Sequence, residues 1–136
     1  MAERRAILIV DDEFIILMAL KQELISRYGR EFLLETALDP AEAEAIIDEL
    51  AGEGVSVILV ISDWLMPGMK GDEFLSRVRA DFPRIRTIMV SGQANPDDVA
   101  RIREAGDLDA YFMKPWDPAR LVAACRKLLE EAGDGD

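Results

Sequence analysis

The most apolar strand-length segment of the chain is Val55-Ser56-Val57-Ile58-Leu59-Val60-Ile61, and an acidic residue, Asp63, follows it closely. A short run that is apolar on both faces is typical of a strand covered on both sides, because a half-exposed strand would alternate apolar and polar residues. The run Ala6-Ile7-Leu8-Ile9-Val10 has the same character and also precedes acidic residues. We therefore place 55–61 at the centre of a sheet that also contains 6–10.

Helix signals separate the predicted strands. Asp12 is available as N-cap and Gly29 as C-terminal stop for the first helix, and Pro40 suits the first turn of the second. The predicted strands are 6–10, 32–36, 55–61, 87–90 and 110–113, and the predicted helices are 13–28, 40–52, 72–81, 96–105 and 118–132. This alternation predicts an α/β fold with one doubly wound, five-stranded parallel sheet and helices on both faces. We expect one domain over 1–132, a short tail over 133–136 that begins where Gly133 ends the last helix, and no output domain.

Amino-acid composition and net charge limit the classes of protein to which this chain could belong. The chain has 136 residues, of which 50% are apolar and 32% charged, as in a soluble globular domain. We see no secretory signal and no apolar run near the ~20 residues that span a bilayer, so no membrane association is expected. The single cysteine, Cys125, fits a reducing cytoplasm. A net charge of −11 with scattered Lys and Arg argues against direct nucleic-acid binding.

The sequence contains no histidine. This excludes Ser-His-Asp catalysis, histidine-ligated zinc and a role as phosphohistidine carrier. Any phosphoryl chemistry in this chain must therefore use carboxylates and a hard cation.

Polar residues occur at the carboxyl ends of four predicted strands. Asp11 and Asp12 follow the first strand, Asp63 the third and Lys114 the fifth, and Ser91 ends the fourth. Sites in open parallel sheets lie at that edge, so we expect these side chains to converge. The carboxylates need a counter-ion, and Mg²⁺ with oxygen ligands supplies one. With an ammonium and a hydroxyl added, the site suits a phosphoryl group, and Asp63 would attack phosphorus to give an acyl phosphate.

The motifs in this pattern are Asp11-Asp12-Glu13, Asp63-Trp64-Leu65-Met66-Pro67-Gly68-Met69-Lys70-Gly71, Ser91-Gly92 and Lys114-Pro115. In order and spacing the chain resembles the response-regulator receiver family of two-component signalling over nearly its whole length. The resemblance implies the flavodoxin-like strand order 2-1-3-4-5. It also implies a switch that accepts a phosphoryl group from a phosphohistidine of a sensor kinase and then changes its partner-binding surface.

The resemblance also implies roles for single residues. Asp63 is the phosphoacceptor. Asp12 and Asp63 bind Mg²⁺ through their side chains, Leu65 binds it through its backbone carbonyl, and Asp11 acts mainly through water. Ser91 and Lys114 hold the phosphoryl oxygens.

Further implications concern the switch and the lifetime of the acyl phosphate. Tyr111 is similar to the aromatic switch residue that responds to Ser91, and the Lys114–Pro115 peptide bond is expected to be cis. Leu65 and Gln93 flank the approach of the hydrolytic water, and neither orients it well. We therefore expect only self-phosphorylation and slow self-dephosphorylation, not turnover as an enzyme.

The expected partners are a histidine kinase or phosphotransfer protein, and a second copy that binds through the fourth helix, fifth strand and fifth helix. The first helix is apolar all round at its start, although Ile16, Leu20 and Leu24 suffice to face the core. Some of Phe14, Leu17 and Met18 should then be exposed. Two interpretations remain: ordinary scattered exposure, or a docking patch for the kinase.

Alternative functions remain open. The chain could be a non-phosphorylated adaptor of the same fold, or a Mg²⁺-dependent phosphatase of another aspartyl-phosphate family. Such phosphatases carry a second acid two residues after the nucleophile, where this chain has Leu65. Single residues also have structural alternatives: Asp12 as a helix cap, Ser91 as a turn residue and Tyr111 as a packing residue.

Overall fold

The computed structural model describes residues 4–64, 66, 68–92 and 95–134. The strands are β1 Arg4–Val10, β2 Leu33–Ala37, β3 Val55–Ser62, β4 Arg86–Ser91 and β5 Ala110–Met113. The helices are α1 Phe14–Tyr28, α2 Pro40–Gly52, α3 Gly71–Asp81, α4 Pro96–Glu104 and α5 Pro118–Asp134. Strands and helices alternate as predicted.

All neighbouring strands pair in parallel, in the order β2-β1-β3-β4-β5. The α/β class and the strand order are therefore confirmed. β3 is central and pairs with β1 and β4, and its residues Leu59, Val60 and Ile61 are fully buried. Its position explains the continuous apolar sequence, since helices cover both of its faces.

The sheet separates the core into two apolar layers, and helices cover each layer. One apolar cluster lies between the sheet and α2, α3 and α4, and includes Ile47, Phe74 and Ile102. The other lies between the sheet and α1 and α5, and includes Leu20 and Leu121. Full burial of each such side chain contributes about 1.5–3 kcal/mol, so these two layers hold the strand ends in fixed relative positions.

The start of α1 differs from the sequence prediction. Its N-cap is Glu13, without a side-chain capping bond, so the prediction of Asp12 as cap is wrong. Instead, Oδ1 of Asp11 accepts a hydrogen bond from the Glu13 amide at 2.8 Å. Gly29 follows the helix as predicted, and its amide donates to the carbonyl of Ile25.

The buried face of α1 also differs in one residue. Leu17, Leu20 and Leu24 are buried, whereas Ile16 is only half-buried. These three leucines follow an i, i+3, i+7 spacing, which gives one continuous stripe toward the sheet. Leu17 is therefore a core residue. Phe14 is exposed as expected.

The end of α5 also differs from the sequence prediction. The helix continues through Gly133 to Asp134, so Gly133 does not end it and the predicted tail over 133–136 begins too early. Glycine lowers helix propensity by about 1 kcal/mol but does not prevent helix formation. No helix within the described residues is long and apolar enough to cross a membrane.

Candidate functional site

Backbone pairing at the carboxyl edge of the sheet brings the predicted residues together. Val10 lies opposite Ser62 in the β1–β3 register, so the residues that follow them, Asp11 and Asp63, become neighbours. The Asp63 amide donates to the carbonyl of Val10 at 3.1 Å. On the other side of β3, the Lys114 amide donates to the carbonyl of Ser91 at 3.2 Å. The predicted convergence of these residues on one rim is confirmed.

Lys114 is the central cation of this rim. Its Nζ lies 2.9 Å from Oδ2 of Asp11 and 3.2 Å from Oδ2 of Asp63. A more distant third partner is Glu13, whose Oε1 lies 3.7 Å away. The Lys114–Pro115 peptide bond is cis, as the family resemblance implied.

The Asp63 carboxylate is held from two directions. Its Oδ1 accepts a hydrogen bond from the Trp64 amide at 2.7 Å, while Oδ2 faces Lys114. Only 6% of the residue surface is exposed. Asp63 thus presents a fixed carboxylate at the bottom of the rim, with its orientation set by backbone and ammonium donors.

Three carboxylates share the rim. Asp11 is buried, Asp12 is exposed and Asp63 is buried, and one oxygen of each lies within 4.8 Å of the others. Lys114 supplies a single ammonium against these three acids, so the cluster keeps net negative charge. Mg²⁺ binds hard oxygen ligands, and it favours carboxylates whose negative charge is not fully neutralised by other groups. Water usually fills its remaining coordination positions. The residues present therefore fit a magnesium ion.

The closeness of the acidic groups and their burial shift the pKa values of two rim residues, Asp11 and Lys114. Burial raises the pKa of the Asp11 carboxyl above its ordinary value, and the charge of Asp63 adds to this, although the Glu13 amide and Lys114 oppose it. Burial alone would lower the pKa of Lys114, but hydrogen bonds and charges from Asp11 and Asp63 outweigh it and raise that pKa. Lys114 is therefore a permanent cation at neutral pH.

Ser91 and Tyr111 lie beside the rim and contact each other. Ser91 is buried at the end of β4. The Tyr111 hydroxyl donates to the Ser91 carbonyl at 3.2 Å, and the half-buried Tyr111 ring packs against the core layer that α2, α3 and α4 cover. The two residues proposed from sequence as a switch pair are thus in direct contact. Leu65, Pro67 and Gln93 lie outside the described residues, so the predicted Leu65 carbonyl ligand stays a prediction.

Sequence reasoning missed the structural importance of Gly71. The Gly71 amide donates to the Trp64 carbonyl at 2.6 Å. A Cβ at this position would overlap the Asp63 carbonyl oxygen and lie 2.9 Å from Cα of Trp64. A glycine directly before a predicted helix was the available signal, because close backbone approach is one reason for glycine at such a place.

Comparison with known proteins agrees with this geometry. The family model described as response regulator receiver domain matches residues 7–126. The hydrogenase transcriptional regulatory protein HoxA of Cupriavidus necator is 38% identical over 98% of this chain and 26% of its own length. The phosphate regulon transcriptional regulatory protein PhoB of Pseudomonas aeruginosa is 32% identical over 97% of this chain and 55% of its own length. The chain thus spans about a quarter of the length of that HoxA protein and about half of the length of that PhoB protein.

Solved structures give the same result. A CheY-like receiver domain protein from Methanospirillum hungatei JF-1 superposes with a TM-score of 0.82 and 30% identity, covering 99% of this chain and all of that one. The receiver domain of an HD domain-containing protein from Pseudomonas fluorescens Pf-5 gives 0.81 and 30%, covering 96% of this chain and 98% of that chain. The family-model match over residues 7–126, together with the similarity in sequence and fold, leads to one conclusion: this chain belongs to the response regulator receiver domain family of two-component signalling.

Proposed function

We propose that this domain is a phosphorylation-activated switch whose acceptor is Asp63. The observation that carries the proposal is the fixed Asp63 carboxylate, with Oδ1 on the Trp64 amide and Oδ2 3.2 Å from Nζ of Lys114. A carboxylate held in this way beside a permanent cation is suited to attack the phosphorus of a phosphoryl group, because the cation neutralises the negative charge on the phosphoryl oxygens. A carboxylate with only a structural role would not need two further acids beside it.

In the proposed reaction, a carboxylate oxygen of Asp63 attacks phosphorus of a phosphohistidine. The O–P bond forms, the N–P bond breaks, and the imidazole nitrogen leaves with the electron pair and takes a proton from solvent. Lys114 neutralises charge on the phosphoryl oxygens, and Ser91 hydrogen-bonds to one of them. Bound Mg²⁺ would supply further charge neutralisation, and Asp11, Asp12 and Asp63 are the residues that would hold it.

The proposed phosphodonor is a histidine kinase or a phosphotransfer protein. Two large apolar side chains at the start of α1 come soon after the rim residues Asp11 and Asp12 in the chain, and both are exposed: Phe14 at 63% and Ile15 at 82%. Two consecutive exposed apolar side chains at the end of α1 that follows the acidic rim support the docking interpretation of this helix over scattered exposure. Because both side chains are held by a helix that begins at the acidic rim, a partner docked there would reach Asp63.

The test is labelling with a small phosphodonor. With acetyl phosphate and Mg²⁺, intact-mass analysis should show one added phosphoryl group, and peptide mapping should place it on Asp63. Asp63→Asn should abolish the label. Asp48→Asn, at an exposed acid on α2, is the matched control and should be labelled like the parent. Label on another residue, or label that survives in Asp63→Asn, would contradict the proposal, and a folded but unlabelled parent would favour the adaptor function.

For the output, we propose that Ser91 and Tyr111 transmit the new charge. The phosphoryl group adds about −1.5 to −2 charge beside Ser91, which draws this residue toward it. The Tyr111 hydroxyl already contacts the Ser91 carbonyl, so movement of Ser91 changes the packing of the Tyr111 ring against the core layer of α2, α3 and α4. The surface that changes consists of α4, β5 and α5, where a second copy or another partner binds.

A mimic of the acyl phosphate tests this output. Beryllofluoride with Mg²⁺ should alter self-association in sedimentation velocity. Tyr111→Ala should weaken that response while Asp63 is still labelled at the parental level. Unchanged positions of Ser91 and Tyr111 in structures with and without beryllofluoride would remove this mechanism and leave the acceptor assignment intact.

A further inference from the structure

A hydrogen bond joins the loop after Lys114 to the middle of α1. Trp116 lies two residues beyond Lys114, between β5 and α5, and its Nε1 donates to Oε2 of Glu23 at 2.8 Å. Both residues are half-buried, and the Trp116 ring packs against the core layer of α1 and α5. A hydrogen bond to a carboxylate in partly buried surroundings is stronger than one between neutral groups. The bond therefore fixes the loop to the helix.

Both ends of this connection are tied to the acidic rim. α1 starts at Phe14, and Oδ1 of Asp11 accepts from the amide of Glu13, the N-cap residue of this helix. On the loop side, the Lys114 amide is held by the Ser91 carbonyl at 3.2 Å. The helix that carries Glu23 thus also fixes Asp11, one of the two buried acids that Lys114 contacts.

The loop is anchored again where α5 begins. Oδ1 of Asp117 accepts from the Ala119 amide at 3.0 Å, and the Asp117 carbonyl accepts from the Leu121 amide. These contacts hold Asp117 on α5 but give the loop no connection to α1. The bond between Trp116 and Glu23 supplies a polar connection to α1, in addition to the packing of the Trp116 ring.

We propose that Glu23 is a positioning residue for phosphoryl transfer, which holds Lys114 at Asp63 through Trp116. The proposal rests on the proposed function of Asp63. A lysine ammonium sits on a flexible stem, so its position depends on a fixed backbone at its base. Loss of the bond would let the loop drift from α1 and move Nζ away from Oδ2 of Asp63. Displacements of about 1 Å in such groups can slow a reaction by as much as 10²-fold.

Four variants separate positioning from simple packing. Glu23→Ala removes the acceptor, and Trp116→Phe keeps an aromatic ring but removes the N–H donor. Glu23→Gln retains a side-chain oxygen that accepts the same bond. Gln22→Ala, at the exposed neighbour on the same helix, is the matched control.

The first readout is the rate constant for Asp63 labelling at saturating acetyl phosphate and Mg²⁺. We expect a fall of roughly ten-fold in Glu23→Ala and in Trp116→Phe, with Glu23→Gln and Gln22→Ala close to the parent. The double variant of Glu23→Ala and Trp116→Phe should be no slower than either single variant, because both remove the same bond. Parental rates in folded Glu23→Ala, or additive losses in the double variant, would overturn the proposal.

The second readout does not depend on phosphorylation. The chain has four lysines, Lys21, Lys70, Lys114 and Lys127, so acetylation by a succinimidyl ester can be mapped to each one. In Glu23→Ala, Lys114 should be acetylated several-fold faster than in the parent, while the other three lysines are unchanged. Unchanged Lys114 acetylation would overturn the positioning role. An unlabelled parent with faster Lys114 acetylation in Glu23→Ala would instead overturn the assignment of Asp63 and support the positioning of Lys114.

Discussion

At the scale of single residues, Gly71 fixes the distance between α3 and the loop that carries Asp63. The Gly71 amide bonds to the Trp64 carbonyl at 2.6 Å, and there is no room for a Cβ against the backbone of Asp63 and Trp64. The backbone of these two residues cannot move aside as the end of a flexible side chain could. A glycine is therefore required where α3 begins.

We expect Gly71→Ala to lower the free energy of unfolding by about 1–3 kcal/mol, because the backbone must shift to relieve the overlap. The same shift should slow labelling of Asp63. Gly52→Ala is the matched control: its Cβ would meet nothing within 4 Å, so its unfolding free energy should stay equal or rise by up to ~1 kcal/mol. Urea denaturation measures both variants, and equal stabilities would contradict the close approach.

Cys125 is a second residue whose surroundings determine its chemistry. It is fully buried in the layer of α1 and α5. Burial, with a smaller contribution from the charge of Glu23, raises the pKa of the thiol from 9.0 to about 12. The native protein thus keeps its thiol proton in a pH range where the unfolded chain has lost it.

This difference predicts that stability falls with pH in alkaline solution. Since the folded pKa is raised, the stabilisation is fully present below pH 9 and is lost as pH rises toward about 12. The slope should approach about 1 kcal/mol per pH unit within that window. Urea titrations of the parent and of Cys125→Ala measure it, and the variant should lose this part of the slope. Rapid alkylation of the native thiol at neutral pH would contradict the burial.

At the scale of elements, a polar network ties α3, β4 and the start of β5 at the edge opposite the acidic rim. The Asp109 carboxylate accepts from Nη2 of Arg79 at 2.6 Å and from the Thr87 amide at 2.9 Å. The Thr87 hydroxyl donates to the Asp107 carbonyl at 2.7 Å. These side chains are largely buried, so the network fixes the start of the edge strand β5 to β4 and α3.

We expect Asp109→Ala to lower the free energy of unfolding by about 3 kcal/mol, because it leaves the Arg79 guanidinium buried without its carboxylate partner. The matched control is Arg77→Ala, which breaks the exposed Arg77–Glu44 pair at 3.0 Å. Exposed pairs contribute about 0–1 kcal/mol, so this control should change stability little. The urea midpoints of the two variants measure this difference. Equal losses of unfolding free energy in Asp109→Ala and Arg77→Ala would show that the Asp109 network stabilises the fold no more than an exposed ion pair does.

At the scale of the whole molecule, the chain carries a net charge of −11, and the acidic rim concentrates part of this negative charge at one edge of the sheet. Asp11, Asp12 and Asp63 lie together and Lys114 balances only part of their charge. A cation bound there should stabilise the native state, since the unfolded chain does not assemble the three carboxylates.

We therefore expect Mg²⁺ to raise the melting temperature and to change the emission of Trp64, whose amide bonds to Asp63. Asp12→Ala should weaken both responses. Asp48→Ala, at an exposed acid far from the rim in sequence, should behave like the parent, and NaCl of equal ionic strength separates screening from binding. Equal responses in Asp12→Ala and the parent would show that the metal assignment is wrong.

The sequence by itself determined the alternation of strands and helices, the central position of β3 and the convergence of Asp11, Asp63 and Lys114. Apolar periodicity is local, and parallel strands bring residues at their carboxyl ends to one edge whatever the details of packing. The strand order came from family resemblance, because local patterns do not specify which strands are neighbours.

Tertiary structure alone decided the rest. It placed Leu17 rather than Ile16 in the core, made Glu13 rather than Asp12 the N-cap of α1 with its amide bonded to Asp11, and paired Trp116 with Glu23. It also required glycine at position 71. Each of these outcomes depends on the rotation of a helix or on distances between segments remote in the chain. Those distances are set by the packing of both helix layers on the sheet, and no local pattern of residues encodes them.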